Sequence, residues 1–111
     1  MPRVTLPSAV QSALDQVEEA LTSIYGDQLS GVYLYGSYAR GDFREGSDVD
    51  LMIALKGEIT PGEEVNRLSR ILSDICLRYN LLIATYPVSD KWIEERQSPL
   101  FVNVRREGVR L

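Results

Sequence analysis

The chain has no histidine, a single cysteine and no long apolar run. Each absence narrows the chemistry. Without histidine, both the commonest general base near neutral pH and the commonest transition-metal ligand are missing. Any metal must then be held by oxygen, which points to Mg²⁺ or Mn²⁺. One cysteine, Cys76, cannot close an internal disulfide, so nothing in the sequence calls for an oxidising compartment. Lying between Ile75 and Leu77, it is expected to act as a small buried hydrophobe. A membrane helix needs roughly 20 consecutive apolar residues. Neither such a run nor a signal-peptide core is present, so a cytoplasmic setting without membrane attachment is expected. Basic charge is also short: 12 Lys and Arg face 16 Asp and Glu, a net charge of −4. A grip on a nucleic-acid backbone needs a positive surface, so direct nucleic-acid binding is not expected.

What is present is ordinary in bulk. With 111 residues, 44% hydrophobic and 25% charged, the chain is expected to form one soluble domain over residues 1–111. Residues 8–26 carry Val10, Ala13, Leu14, Val17, Ala20, Leu21 and Ile24 at helical spacing, opened by a Ser8–Gln11 capping box. Asp15, Glu18 and Glu19 fall on the polar side of that helix, as a solvated face would. Strands are expected at 31–35 and 49–55, the second buried and central, with one helical turn between them from Ser37 to about Asp42. Thr60, Pro61 and Glu63 predict another capped start, for a helix running to Tyr79 on Val65, Leu68, Ile71, Leu72 and Ile75. A third strand over 81–86 should stop at Pro87. Ser89 and Ser98-Pro99 then open two short helices, with Gly108 beyond the second. This order predicts an α+β domain, helices against a small sheet. The tail from Trp92 to Leu111 mixes Ile93, Leu100, Phe101 and Val104 with Arg96, Arg105, Arg106 and Arg110. It reads either as packing on its own sheet or as a docking surface.

The chemistry concentrates between Gly36 and Asp50. Gly36-Ser37 leaves one strand, and Asp48-Val49-Asp50 opens the next. Glycine leaves room for a phosphate, and successive amides at a strand-to-helix turn form an anion nest. Two carboxylates two residues apart on a strand project from one face, roughly 6–7 Å apart along it. Such a pair repels unless a cation intervenes, and Mg²⁺ accepts one or two carboxylates with phosphate oxygens. A capped turn before a strand would also use these residues. Yet Asp50 lies within an otherwise apolar run, where an unpaired carboxylate is costly.

Gly36-Ser37, ten residues, then Asp48-x-Asp50, with Ala39-Arg40-Gly41-Asp42 and Ser47 between, resembles the signature of the polymerase-β-type nucleotidyltransferases. More narrowly it resembles the minimal nucleotidyltransferases, whose size it shares. The resemblance implies a palm-like nucleotidyltransferase fold, a small mixed sheet of three or more strands packed on helices. It implies transfer of AMP from ATP to a hydroxyl, with Asp48 and Asp50 catalytic and holding Mg²⁺. Gly36 and Ser37 would hold the β- and γ-phosphates, with Arg40 and Ser47 beside the nucleotide or shaping the loop. For Asp42 the implied role is a loop hydrogen bond. The implied partner is a HEPN-type toxin, a tyrosine of which is adenylylated, in a homo- or hetero-oligomer. One departure stands out. The family's third carboxylate belongs on the later strand, which here reads Leu81-Leu82-Ile83-Ala84-Thr85-Tyr86. Catalysis that is slow, completed by the partner, or replaced by neutralisation through binding alone are all compatible with that gap. Transfer to an antibiotic would need a second domain to hold the acceptor.

Overall fold

The computed structural model describes residues 5–111. Helix α1 spans Ser8–Tyr25, β1 Leu29–Tyr35, α2 Ser37–Arg40 and β2 Val49–Leu55. They are followed by α3 Pro61–Tyr79, β3 Ile83–Ser89, α4 Asp90–Glu95, α5 Pro99–Glu107 and β4 Val109–Arg110. The four strands form one mixed sheet in the order β3-β2-β1-β4, α+β as the element order predicts. β1 runs antiparallel to both β2 and β4, whereas β2 and β3 are parallel. A parallel pair needs a long crossover, and α3 supplies it.

Alternation along the strands sends each face into its own core. Val32, Leu34, Leu51, Ile53, Leu55 and Ile83 pack with Leu14, Val17 and Leu21 of α1 and Leu68, Leu72 and Ile75 of α3. Met52, Ala54 and Val88 pack on the opposite face with Ile93, Phe101 and Val104 from α4 and α5. β2 is therefore covered on both sides, which is why its sequence reads as continuously apolar after Asp50. The tail packs on its own sheet through Ile93, Phe101 and Val104, and Arg105 ties α4 to α5 by donating to the Ile93 carbonyl at 2.6 Å.

Several details depart from the sequence reading. Neither capping box forms: Pro7 occupies the N-cap of α1 and Gln11 donates to Asp15 instead, while Thr60 caps α3 without a side-chain bond. Ile24 and Val65 are exposed, and the faces rotate to bury Tyr25 and Glu64. Both buried groups are polar at their tips, so periodicity of apolar residues alone misplaces them. They satisfy one another: the Tyr25 hydroxyl donates to Glu64 Oε1 at 2.7 Å, and Arg67 approaches the same oxygen at 3.5 Å. Burial, then the bond to Glu64, pushes the Tyr25 phenol well above its ordinary value. Tyr25→Phe is expected to destabilise the fold by about 1.5–3 kcal/mol, the worth of a hydrogen bond to a charged group. Urea unfolding checks it, and an unchanged midpoint would refute it.

β3 also runs through Pro87 rather than stopping there. Pro87 sits opposite Ile53 on an edge strand, where its missing N–H faces away from the ladder and costs nothing. Two residues of β4, absent from the sequence reading, close the other edge opposite Tyr33 and Leu34.

Candidate active site

β1 and β2 bring the two halves of the motif together. Their antiparallel register places Tyr35 opposite Asp50, so Gly36, the next residue, turns directly over the Asp50 carboxylate. Gly36 has φ +77°, and a Cβ built there would overlap Asp50 Oδ2 and lie 3.3 Å from its Cγ. Only glycine satisfies both the dihedral and the close approach. Gly36→Ala is therefore expected to weaken Mg-ATP binding at least about tenfold by forcing the turn and the carboxylate apart. Calorimetric titration reads the effect, with circular dichroism as the check that the fold survives.

Beyond Gly36 the chain makes one helical turn. The amides of Ala39 and Arg40 both donate to the Gly36 carbonyl, at 3.1 Å each. The two preceding amides, Ser37 and Tyr38, have no partner within the turn, as at any helix start. Tyr38 is buried and stacks on Phe43 with ring centroids 4.4 Å apart, which anchors the loop to the α1/α3 core. Ser47 Oγ accepts from the Arg44 amide at 2.8 Å, so Ser47 folds the loop that delivers Asp48. The φ of +84° at Gly46 makes that bend possible.

Asp48 is exposed and Asp50 half-buried, and among the described residues neither enters an ion pair. Burial raises the Asp50 pKa above its ordinary value, Asp48 raises it further, and Arg40 acts weakly against both. The site thus holds anionic charge with no cation of its own to answer it. Arg40 stands nearby but is engaged by Asp42 at 3.2 Å and by Glu107 of α5 at 3.5 Å. Both contacts are exposed and of small worth, so Arg40 is loosely held rather than locked.

Two neighbours, Tyr35 and Glu107, were not singled out from sequence. Tyr35 packs beside Asp50, and burial together with the Asp50 charge raises its phenol pKa. Glu107 comes from the far end of the chain to meet Arg40, and nothing local signals it. Ala84 is the in-register partner of Asp50 on β3 and is exposed, so the acid absent from that strand in sequence is absent beside Asp50 in space. Among the described residues there is no cluster of three or more His, Cys, Asp or Glu able to hold a metal ion by itself. An exposed and a half-buried carboxylate nonetheless suit Mg²⁺ arriving with nucleotide phosphates, which keeps most of its ligands from water and substrate.

Comparisons with known proteins agree with this geometry. The family model for polymerase beta nucleotidyltransferase matches residues 19–98. The "Putative protein adenylyltransferase MJ0141" of Methanocaldococcus jannaschii is 38% identical over 71 residues, 64% of this chain and 71% of that protein. A structure solved as a "putative minimal nucleotidyltransferase" superimposes with a TM-score of 0.59 at 23% identity, covering 98% of this chain and 100% of the other. A toxin–antitoxin crystal structure with AMP-PNP superimposes with a TM-score of 0.60 at 16% identity, covering 86% and 70%. At such identities the two structures speak for the fold. No helix among the described residues is long and apolar enough to cross a membrane.

Proposed function

We propose, from the premise that this chain belongs to the polymerase beta nucleotidyltransferase family, that it transfers AMP from ATP to a protein hydroxyl. The acceptor in this reading is a tyrosine of a HEPN-type toxin, and the chain is the antitoxin. The observation that carries the reading is the packing of Gly36 against an unpaired Asp50, with Asp48 beside it. That arrangement sets the tight turn directly against a carboxylate whose nearest charged influence is a second carboxylate.

The chain's own residues account for binding and orientation. The Gly36-Ser37 turn offers amide and hydroxyl donors to the β- and γ-phosphates, and the missing side chain at Gly36 lets that turn lie directly against the Asp50 carboxylate. Asp48 and Asp50 would hold Mg²⁺, which when bound supplies charge neutralisation on the phosphates. The acceptor oxygen bonds to the α-phosphorus as the bond to pyrophosphate breaks. Its proton leaves to solvent or to a group on the acceptor, because Ala84 has none to offer. Phosphoryl-type transfer depends chiefly on positioning and electrostatics, so two aspartates and a donor nest suffice for a basal rate. Arg40 is released from Asp42 and Glu107 to meet phosphate charge.

The test is incubation of ATP labelled on the α-phosphate with the co-purified toxin. Label on the toxin is expected from wild type and not from Asp48→Ala. No label from wild type, together with undiminished neutralisation by Asp48→Ala, would sink the reading. Those results would instead support neutralisation by binding alone, which the alanine beside Asp50 favours. Relatives named as protein adenylyltransferases and a neighbour solved as a toxin–antitoxin complex support transfer onto a protein.

A further inference from the structure

Next to the loop that carries Asp48, the surface changes character. A hollow of about 610 Å³ is lined by Glu45, Gly46 and Ser47 on one side and by Cys76, Leu77, Leu81 and Leu82 on the other. Leu77 is 81% exposed and Leu82 61%, the two most exposed large apolar side chains among the described residues. They are not loose ends. Asn80 closes α3 in the left-handed conformation, and the Leu81 amide donates to the Cys76 carbonyl at 3.0 Å. The Val49 amide then donates to the Leu82 carbonyl at 2.8 Å, which fixes Leu82 beside the residue between the two aspartates. An apolar lip held by these bonds therefore lies beside Ser47 and Val49, the chain neighbours of Asp48.

We infer that this lip, Leu77 and Leu82 with Glu45 at its rim, is where the acceptor docks, and that the acceptor is a protein segment presenting leucine-like side chains flanked by Lys or Arg. The inference rests on the reading of the site as an AMP-transfer centre and names the substrate surface it uses. Charge selects the occupant. Glu45 is the one ionisable carboxylate of the hollow, no Lys or Arg lines it, and the chain carries −4 overall. An acid at the rim of two exposed leucines favours an apolar peptide that carries a basic residue. A lip of two exposed leucines is small beside the roughly 800 Å² per partner of a stable interface, so it serves as one anchor within a larger contact with the acceptor rather than as a whole dimer face.

The experiment measures docking apart from catalysis. A synthetic amphipathic helical peptide with leucines, lysines and one tyrosine is titrated into the full chain by fluorescence anisotropy. A glycine-serine peptide with the same lysines and tyrosine, and a single-stranded RNA oligonucleotide, serve as rival probes. The amphipathic peptide is expected to bind at least about tenfold tighter than either rival, as burial of one leucine suffices to give. Leu77→Glu and Leu82→Glu should each weaken it at least about tenfold, while Leu82→Met keeps it and Leu111→Glu, at the far sheet edge, leaves it unchanged. Equal binding of the two peptides, preference for RNA, or a dimer in ultracentrifugation that Leu82→Glu dissolves would each overturn the inference. Mg-ATP titration of the same variants separates the two readings. ATP bound without peptide preference removes the docking surface and leaves transfer standing, whereas leucine-dependent peptide binding without ATP binding leaves the docking surface and removes transfer.

Discussion

Asp50→Asn is expected to lower AMP transfer by about 10³-fold or more and, in Mg-free buffer at neutral pH, to raise the melting temperature. The first effect follows because, among the described residues, Asp50 is the carboxylate that packs against the Gly36 turn, and a cation held there would contribute several kcal/mol of charge stabilisation. The second follows from the raised pKa of Asp50, caused first by burial and then by Asp48. A carboxyl whose pKa is higher folded than unfolded stabilises the fold fully below the ordinary carboxylate range. That contribution is lost as pH rises through the raised value, so at pH 7 the ionised group works against folding. Removing its charge should raise the melting temperature at pH 7 by a small amount, because solvent screens a half-exposed group. The gain should vanish near pH 3, where wild type is protonated too. Mg-ATP should reverse the ranking by stabilising wild type and not the variant. Scanning calorimetry across pH with and without Mg-ATP checks each sign. A variant that melts lower at pH 7 without Mg would mean that Asp50 holds the fold together rather than a cation.

Ala84→Asp is expected to raise turnover by about 10–100-fold, within reach of what a general base contributes. Ala84 is paired in parallel with Asp50, so the added carboxylate lands on the same face of the sheet next to the existing pair. Being exposed, position 84 admits it without repacking either core. Three acids repel more than two, so the same change should lower stability without Mg²⁺ and make stability more dependent on the ion. Single-turnover transfer rates at saturating Mg-ATP are the measurement. A rate equal to wild type, with Mg-ATP affinity intact, would show that the acceptor already supplies the proton acceptor and that position 84 is open for its sake.

How much of this was legible before the coordinates differs by element. The long helices, the first two strands and the motif between them lie where apolar periodicity and the Gly36-Ser37 and Asp48-x-Asp50 spacing place them. Local sequence fixes such features because a helix stripe or a strand run is set by residues near each other in the chain. The third strand continues past Pro87 because proline is excluded only from inner strands, and edge position is a property of the sheet. The capping boxes failed because a side-chain cap competes with other local bonds, such as Gln11 to Asp15.

The amino-acid sequence by itself determined which groups are on offer: carboxylates in a chain without histidine, a glycine at the end of the first strand, and a third strand with no acid. The tertiary structure decided how near those pieces stand. Only the β1–β2 register puts Gly36 over Asp50, only the parallel β2–β3 pairing puts Ala84 beside it, and only chain return brings Glu107 to Arg40. The reason is physical. Side-chain type is carried by each residue alone, whereas separation between residues far apart in the chain is set by hydrogen-bond register and by two cores that must both be filled.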